Sequence, residues 1–256
     1  ALFMSVSEKL ESIYDAGLAL FYPQACEVCK ASVEKRAGGV ACAACWEETE
    51  LYSDGIACCW KCGESMPKSQ NVINVEAIRC GRCSEHNYDI ARAVGIYEKA
   101  LRASVLALKR RPAAPPRALQ LLLSLARAAP LSDATRIVEV PLHSQRMSER
   151  GFNQTAVLAH FLSKRTGLPF DPDVIERTRH SERHRAGMDV RQRMESVEKV
   201  FEVRKPRLVS GEVILLVDDV LTTGATVSAC AAALKNAHAK AVYVVCLARP
   251  REYRAR

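Results

Sequence analysis

A charge-free apolar run, Val213–Val217, meets two adjacent aspartates and then the turn-forming string Leu221-Thr222-Thr223-Gly224-Ala225-Thr226. A short β-branched run of this kind is the pattern of a parallel strand buried on both faces, which commits this part of the chain to an α/β sheet. Asp218 and Asp219 are expected to end the strand, and the threonine-rich turn to lead into a helix over 227–236. Ligands of open α/β sheets bind at the carboxyl ends of the strands, where these residues would fall. Backbone N–H groups of such a turn, threonine hydroxyls and the helix N-terminus together form a concavity for a phosphate. Carboxylates repel phosphate but accept hydrogen bonds from sugar hydroxyls. A ribose 5-phosphate satisfies both halves of the string. A lone Asp-Asp or Thr-Thr-Gly would more simply be a strand end and a helix cap; the whole string in strand–turn–helix context carries the ligand reading.

The rest of the 256-residue chain divides by charge and by cysteine. Residues 1–89 hold 8 Lys/Arg against 13 Asp/Glu, whereas residues 90–256 hold 29 against 16. The basic part contains the proposed phosphate turn and suits polyanionic ligands. Nine of the 11 cysteines lie instead in residues 26–83. Three segments are expected: an N-terminal helix (1–19), a cysteine module (20–88) and an α/β domain (89–256). No apolar run reaches the roughly 18–20 residues of a membrane span, so no membrane insertion is expected. Without a basic-apolar-small leader pattern, the expected location is cytoplasmic.

The cysteine module contains four CxxC pairs: Cys26/Cys29, Cys42/Cys45, Cys59/Cys62 and Cys80/Cys83. Each pair aims two thiolates at one point, and two pairs complete a tetrahedral site. Disulfides would need an oxidising compartment. A redox CxxC would not recur four times, and iron–sulfur cysteines are spaced more tightly. Two structural zinc ions are therefore expected, with no open coordination position. Pairing in sequence order is favoured, with Trp46–Tyr52 inside a linker, although a cross-braced arrangement uses the same eight residues. The acidic balance of the module argues for a scaffold or docking role over a phosphate-gripping one.

Strands are expected at 90–97, 135–141, 213–217 and 240–247, alternating with helices at 99–109, 117–129 and 153–166. Between strand 135–141 and helix 153–166 lies the polar segment Leu142-His143-Ser144-Gln145-Arg146-Met147-Ser148-Glu149-Arg150-Gly151-Phe152-Asn153-Gln154, expected as a loop on the crevice side. Its arginines suit phosphate oxygens. Residues 177–193 add six arginines and two histidines, His180 and His184, in a stretch too polar for the core.

The string VILLVDDVLTTGAT resembles the diphosphoribose fingerprint of the type I phosphoribosyltransferases. Taken with VPLHSQRMSERGFNQ and the cysteine-rich N-terminal part, in this order, it narrows the resemblance to the ComF family of competence-associated, phosphoribosyltransferase-like proteins. The likeness spans nearly the whole chain. It implies a type I phosphoribosyltransferase-like parallel sheet with an N-terminal double zinc ribbon. It further implies that Asp218 and Asp219 bind the ribose hydroxyls of phosphoribosyl pyrophosphate (PRPP), and that Thr222, Thr223, Gly224, Ala225 and Thr226 hold its 5-phosphate. His143, Arg146 and Arg150 would stand near the pyrophosphate, with Mg²⁺ bridging it, and residues 177–193 would form a closing loop. The sequence departs from the family pattern in that loop, at His184 or Arg185, and ahead of the next strand, at Ser196. The family also implies a role in natural transformation, with single-stranded DNA and other competence proteins as partners. Two readings remain open: a phosphoribosyltransferase, or a non-catalytic single-stranded DNA-binding or regulatory protein that uses the PRPP pocket as a sensor.

Overall fold

The computed structural model describes residues 24–52, 58–64, 78–81, 83–178 and 200–251. The expected N-terminal helix (1–19) and most of the arginine-rich segment, including His180 and His184, lie outside them. The elements in chain order are α1 (Ala43–Glu47), β1 (Ile90–Ile96), α2 (Lys99–Arg110), α3 (Pro116–Arg127), β2 (Arg136–Glu139), α4 (Ser144–Arg150), α5 (Gln154–Thr166), β3 (Ile175–Arg177), β4 (Phe201–Val203), β5 (Val213–Val220), α6 (Ala225–Asn236) and β6 (Ala241–Arg249).

Four strands form a parallel sheet in the order β1-β6-β5-β2. The central strand β5 alternates between two cores. Leu215 and Val217 pack with α2, α3 and α5 on one face, and Ile214 and Leu216 with α6, β3 and β4 on the other. Each of these four side chains is fully buried, a contribution of about 1.5–3 kcal/mol apiece. That double burial explains why the first five residues of β5, 213–217, are an unbroken apolar run.

The strand does not stop at Val217 as expected. Pairing with β6 continues through Asp218↔Cys246 and Val220↔Ala248, so both aspartates belong to the strand. The helix that follows starts at Ala225 and not at 227, because Gly224 in the left-handed region (φ 80°) reverses the chain ahead of it. A second correction concerns residues 142–154. The Ser144–Arg150 stretch is a helix closed by Gly151 at φ 76°, and it buries none of its residues. With no apolar face, it left no periodicity to read. The antiparallel pair β3–β4 was also not foreseen. Its strands are three residues each, and they flank the arginine-rich segment.

The cysteine module does not stand apart from the sheet. The first ribbon's Cys26, Cys42, Cys45 and Trp46 join the core on the α2/α3 face. The second ribbon's Cys59, Cys62 and Cys83 join the core on the α6 face. Trp46, expected in a linker, lies on α1 and is 1% exposed. Its indole N–H donates to the Gly38 carbonyl (2.8 Å), and the Arg117 guanidinium lies over the ring. Beyond α1, residues 50–52 run antiparallel along β1. Tyr52 N–H donates to Val94 O and Ile96 N–H to Glu50 O, so this side of the edge strand is covered.

Candidate functional site

The eight thiols gather in two groups, Cys26/Cys29/Cys42/Cys45 and Cys59/Cys62/Cys80/Cys83, with all sulfurs of a group within 4.8 Å of one another. This is the sequential pairing, and the cross-braced alternative is excluded. Four convergent sulfurs, with no fifth donor grouped with them among the described residues, fit a tetrahedral, closed zinc site. Backbone amides prepare one thiol in each group for ionisation. Burial works against Cys26, but donors at Cys29, Cys42 and Val28 outweigh it and bring its pKa down to about 6. Cys59 behaves likewise: burial is outweighed by amides at Cys62 and Cys80, and its pKa falls to about 7. Gly63, just after the third knuckle, has φ 69°, and a Cβ there would lie 2.7 Å from the Ala91 carbonyl oxygen. The ribbon therefore meets β1 backbone to backbone, and Ala91 N–H donates to Lys61 O.

A crevice opens between the ends of β2 and β5, because the helices that follow them lie on opposite faces of the sheet, α5 on one and α6 on the other. The two strands are neighbours in register, with Glu139 opposite Val217. The segments leaving both carboxyl ends therefore emerge side by side, the topological position for a ligand. From β5 come Asp218 and Asp219, then Thr222 and Thr223, both exposed, and Gly224 as the cap of α6. Ala225 and Thr226 open the helix with exposed side chains, and Ala225 N–H donates to Thr223 Oγ1. This turn presents the exposed side chains of Thr222, Thr223 and Thr226 next to the two carboxylates in sequence.

The carboxylates differ. Asp219 is 7% exposed, and its Oδ2 lies 2.9 Å from Lys109 Nζ at the end of α2. Asp218 accepts the Asp219 amide at 2.8 Å. Burial first, and then the charge of Asp219, push the Asp218 carboxyl well above the usual carboxylate range. Lys109 is a residue whose part in this site the sequence did not disclose. It stood in a basic cluster before a proline-rich break, and only the path of α2 across the strand ends brings it to Asp219.

On the β2 side, the conspicuous Arg-Gly-Phe-Asn-Gln string fastens the strand end to α5. Asn153 Nδ2 (3.2 Å) and Thr155 Oγ1 (2.6 Å) both donate to Val140 O. Arg150 Nη1 donates to Gln154 Oε1 at 2.6 Å, which turns this guanidinium toward the helix. His143 caps α4, its Nδ1 accepting from Gln145 N–H. Arg146 is exposed on α4. Beneath this segment is a cleft of about 740 Å³ whose lining includes Glu139, Pro141, Phe152 and Arg177. Glu139 is 3% exposed; burial raises its carboxyl, and Asp173 N–H donates to its Oε1.

The second ribbon closes the site from behind. His86 and Tyr88 press on Gly224. Arg249, at the end of β6, donates to the Cys62 carbonyl (2.6 Å) and is ion-paired with Glu64. None of His86, Tyr88, Glu64 or Arg249 carried a signal in the sequence beyond proximity to the knuckles or to the last strand.

Comparison with known proteins agrees with both halves. Residues 154–256 match the phosphoribosyl transferase domain and residues 17–85 the double zinc ribbon domain. DNA utilization protein YhgH of Salmonella typhimurium is 32% identical over 238 residues, covering 90% of this chain and 99% of its own. YhgH of Escherichia coli K12 is 38% identical over 114 residues, 44% of this chain and 49% of its own. Competence protein F of Haemophilus influenzae is 26% identical over 239 residues, 90% of this chain and 98% of its own. Among the described residues no helix is long and apolar enough to cross a membrane. With a double zinc ribbon ahead of a phosphoribosyltransferase-type sheet, and relatives aligned along nearly its whole length, the chain belongs to the ComF family.

Proposed function

We propose that this protein binds PRPP, with Mg²⁺, in the crevice between the β2 and β5 ends and works in the handling of DNA during competence. The observation that carries the reading is the juxtaposition of Asp218 and Asp219 with the solvent-facing turn Thr222–Thr226. On this reading the carboxylates accept the ribose hydroxyls, and the turn amides and threonine hydroxyls hold the 5-phosphate. Arg146, with His143 and Arg150, lies along the pyrophosphate path from the β2 side. Mg²⁺, when bound, supplies charge neutralisation to the pyrophosphate. Lys109 already provides one cation at Asp219. Single-stranded DNA and competence proteins are the proposed partners, a reading supported by relatives named a DNA utilization protein and a competence protein. The basic charge of residues 90–256 suits the DNA.

Transfer chemistry would need an acceptor held above the ribose carbon, and one observation favours the sensor reading. Arg249 at the end of the last strand is already engaged by Glu64 and the Cys62 carbonyl of the second ribbon. A ligand series separates the readings. PRPP with Mg²⁺ should raise the melting temperature by mass action, more than ribose 5-phosphate does. Pyrophosphate release on adding a nucleobase would establish transfer. Binding of single-stranded DNA should weaken with salt at about 0.7 log units per phosphate neutralised, and PRPP should shift it. No stabilisation by PRPP would refute the reading.

A further inference from the structure

The second ribbon and the turn proposed to hold phosphate share a wall. A cavity of about 230 Å³ is bounded by Cys62, Cys80 and Cys83 on one side and by Thr222, Thr223 and Gly224 on the other. Gly224 touches the ribbon directly. A Cβ at this position would lie 2.7 Å from His86 Cε1, 3.1 Å from His86 Nδ1 and 3.3 Å from the Tyr88 hydroxyl. The His86 ring is held by a 2.6 Å hydrogen bond between its Nδ1 and the Tyr88 hydroxyl, and Tyr88 is 1% exposed. The backbone of His86 is tied to both knuckles. Its N–H donates to Cys83 O (3.2 Å), and its carbonyl accepts from Nζ of Lys61, which lies between Cys59 and Cys62 (2.7 Å). The next residue, Asn87, donates from its backbone (3.0 Å) and side chain (3.3 Å) to Ser228 Oγ, on the first turn of the helix that the turn opens.

The first ribbon differs. Its described contacts run to α2 and α3, through Glu27 with Arg110 (2.5 Å) and Trp46 with Arg117. None of its described residues lines the turn. The two Cys₄ groups are alike in chemistry and unlike in what they touch.

We propose that His86 is a positioning residue of the Thr222–Thr226 turn, and that zinc in the Cys59/Cys62/Cys80/Cys83 group and a phosphate ester on the turn stabilise each other. The inference rests on the phosphate reading given above. Zinc ties Cys59–Cys62 to Cys80–Cys83 and thereby fixes Lys61 and His86, and His86 packed on Gly224 holds the turn in its ligand-ready shape. Linkage is reciprocal: whatever the metal adds to ligand affinity, the ligand adds to metal affinity. The Cys26/Cys29/Cys42/Cys45 group has no such path, so it should be indifferent to the ligand.

The test is zinc release from the full, zinc-loaded chain into an excess of a chromophoric chelator, with and without saturating ribose 5-phosphate. Calorimetry in the same buffer verifies binding of the probe. Release should occur in two phases. Cys29→Ser, at the exposed ligand of the first group, should accelerate one of them and so identify it. Ribose 5-phosphate should slow the other phase by about fivefold or more, the lower end of ordinary coupling, and leave the marked phase unchanged. His86→Ala should keep two zinc ions, lose the protection and bind ribose 5-phosphate more weakly. If calorimetry shows binding but the ligand slows neither phase, or both alike, the inference is overturned and the phosphate reading stands. If calorimetry shows no binding, the phosphate reading itself falls.

Discussion

Lys109 Nζ at the end of α2 lies 2.9 Å from Asp219 Oδ2 at the end of β5. Asp219 is 10% exposed in its side chain and this oxygen has no other partner among the described residues, so the cation compensates a carboxylate largely withdrawn from water. Removing one member leaves the other uncompensated, which costs more than removing both. Lys109→Met should therefore destabilise the ligand-free protein by about 1–3 kcal/mol in urea denaturation. The Lys109→Met/Asp219→Asn double variant should recover part of that loss. A neutral single variant would show that the pair does not support the fold.

Asp218 makes a pH-dependent prediction. Burial and the neighbouring Asp219 raise its carboxyl well above the ordinary range in the folded state. A carboxyl that holds its proton more tightly folded than unfolded favours the fold while protonated. That contribution is lost as pH rises through the folded value. Asp218→Asn should thus be more stable than the parent at neutral pH, with the difference shrinking as pH falls toward the ordinary carboxylate value of about 4. The same substitution should weaken PRPP binding, because the ribose acceptor is gone. Urea titrations across this pH range check the first point, and equal stability at neutral pH would contradict it.

Zinc removal should be felt beyond the ribbons. Because Cys26, Cys45 and Trp46 share one core with the sheet and Cys59 and Cys83 the other, chelation should lower the melting temperature of the whole chain. It should not unfold residues 26–83 alone. Elemental analysis should give two zinc ions per chain. Calorimetric scanning should show one transition for the loaded protein, shifted down on chelation. An unshifted transition for the sheet would mean that the ribbons pack on it without supporting it.

Much of this architecture was legible because it rests on local pattern. The run Val213–Val217 announces a doubly buried strand, the four CxxC knuckles announce two Cys₄ groups, and Asn153 announces the cap of α5. What escaped was set by packing between distant segments. Asp218 and Asp219 remain in the strand because β6 still pairs with Asp218 at Cys246 and with Val220 at Ala248, which nothing in the β5 sequence reveals. The Ser144–Arg150 helix buries no residue and so has no apolar stripe. The contacts of His86 with Gly224 and of Lys109 with Asp219 span more than 100 residues of chain. Trp46 looked like linker because a five-residue helix is too short for its burial to show as periodicity.

The central claim is that the carboxyl ends of β2 and β5 form a PRPP site, and isothermal titration of the purified chain with PRPP and Mg²⁺ tests it most directly. The account predicts saturable binding at one ligand per chain. It also predicts that Asp218→Ala combined with Asp219→Ala abolishes that binding while circular dichroism shows the fold retained. No heat of binding to the parent chain, or undiminished binding by the double variant, would contradict it.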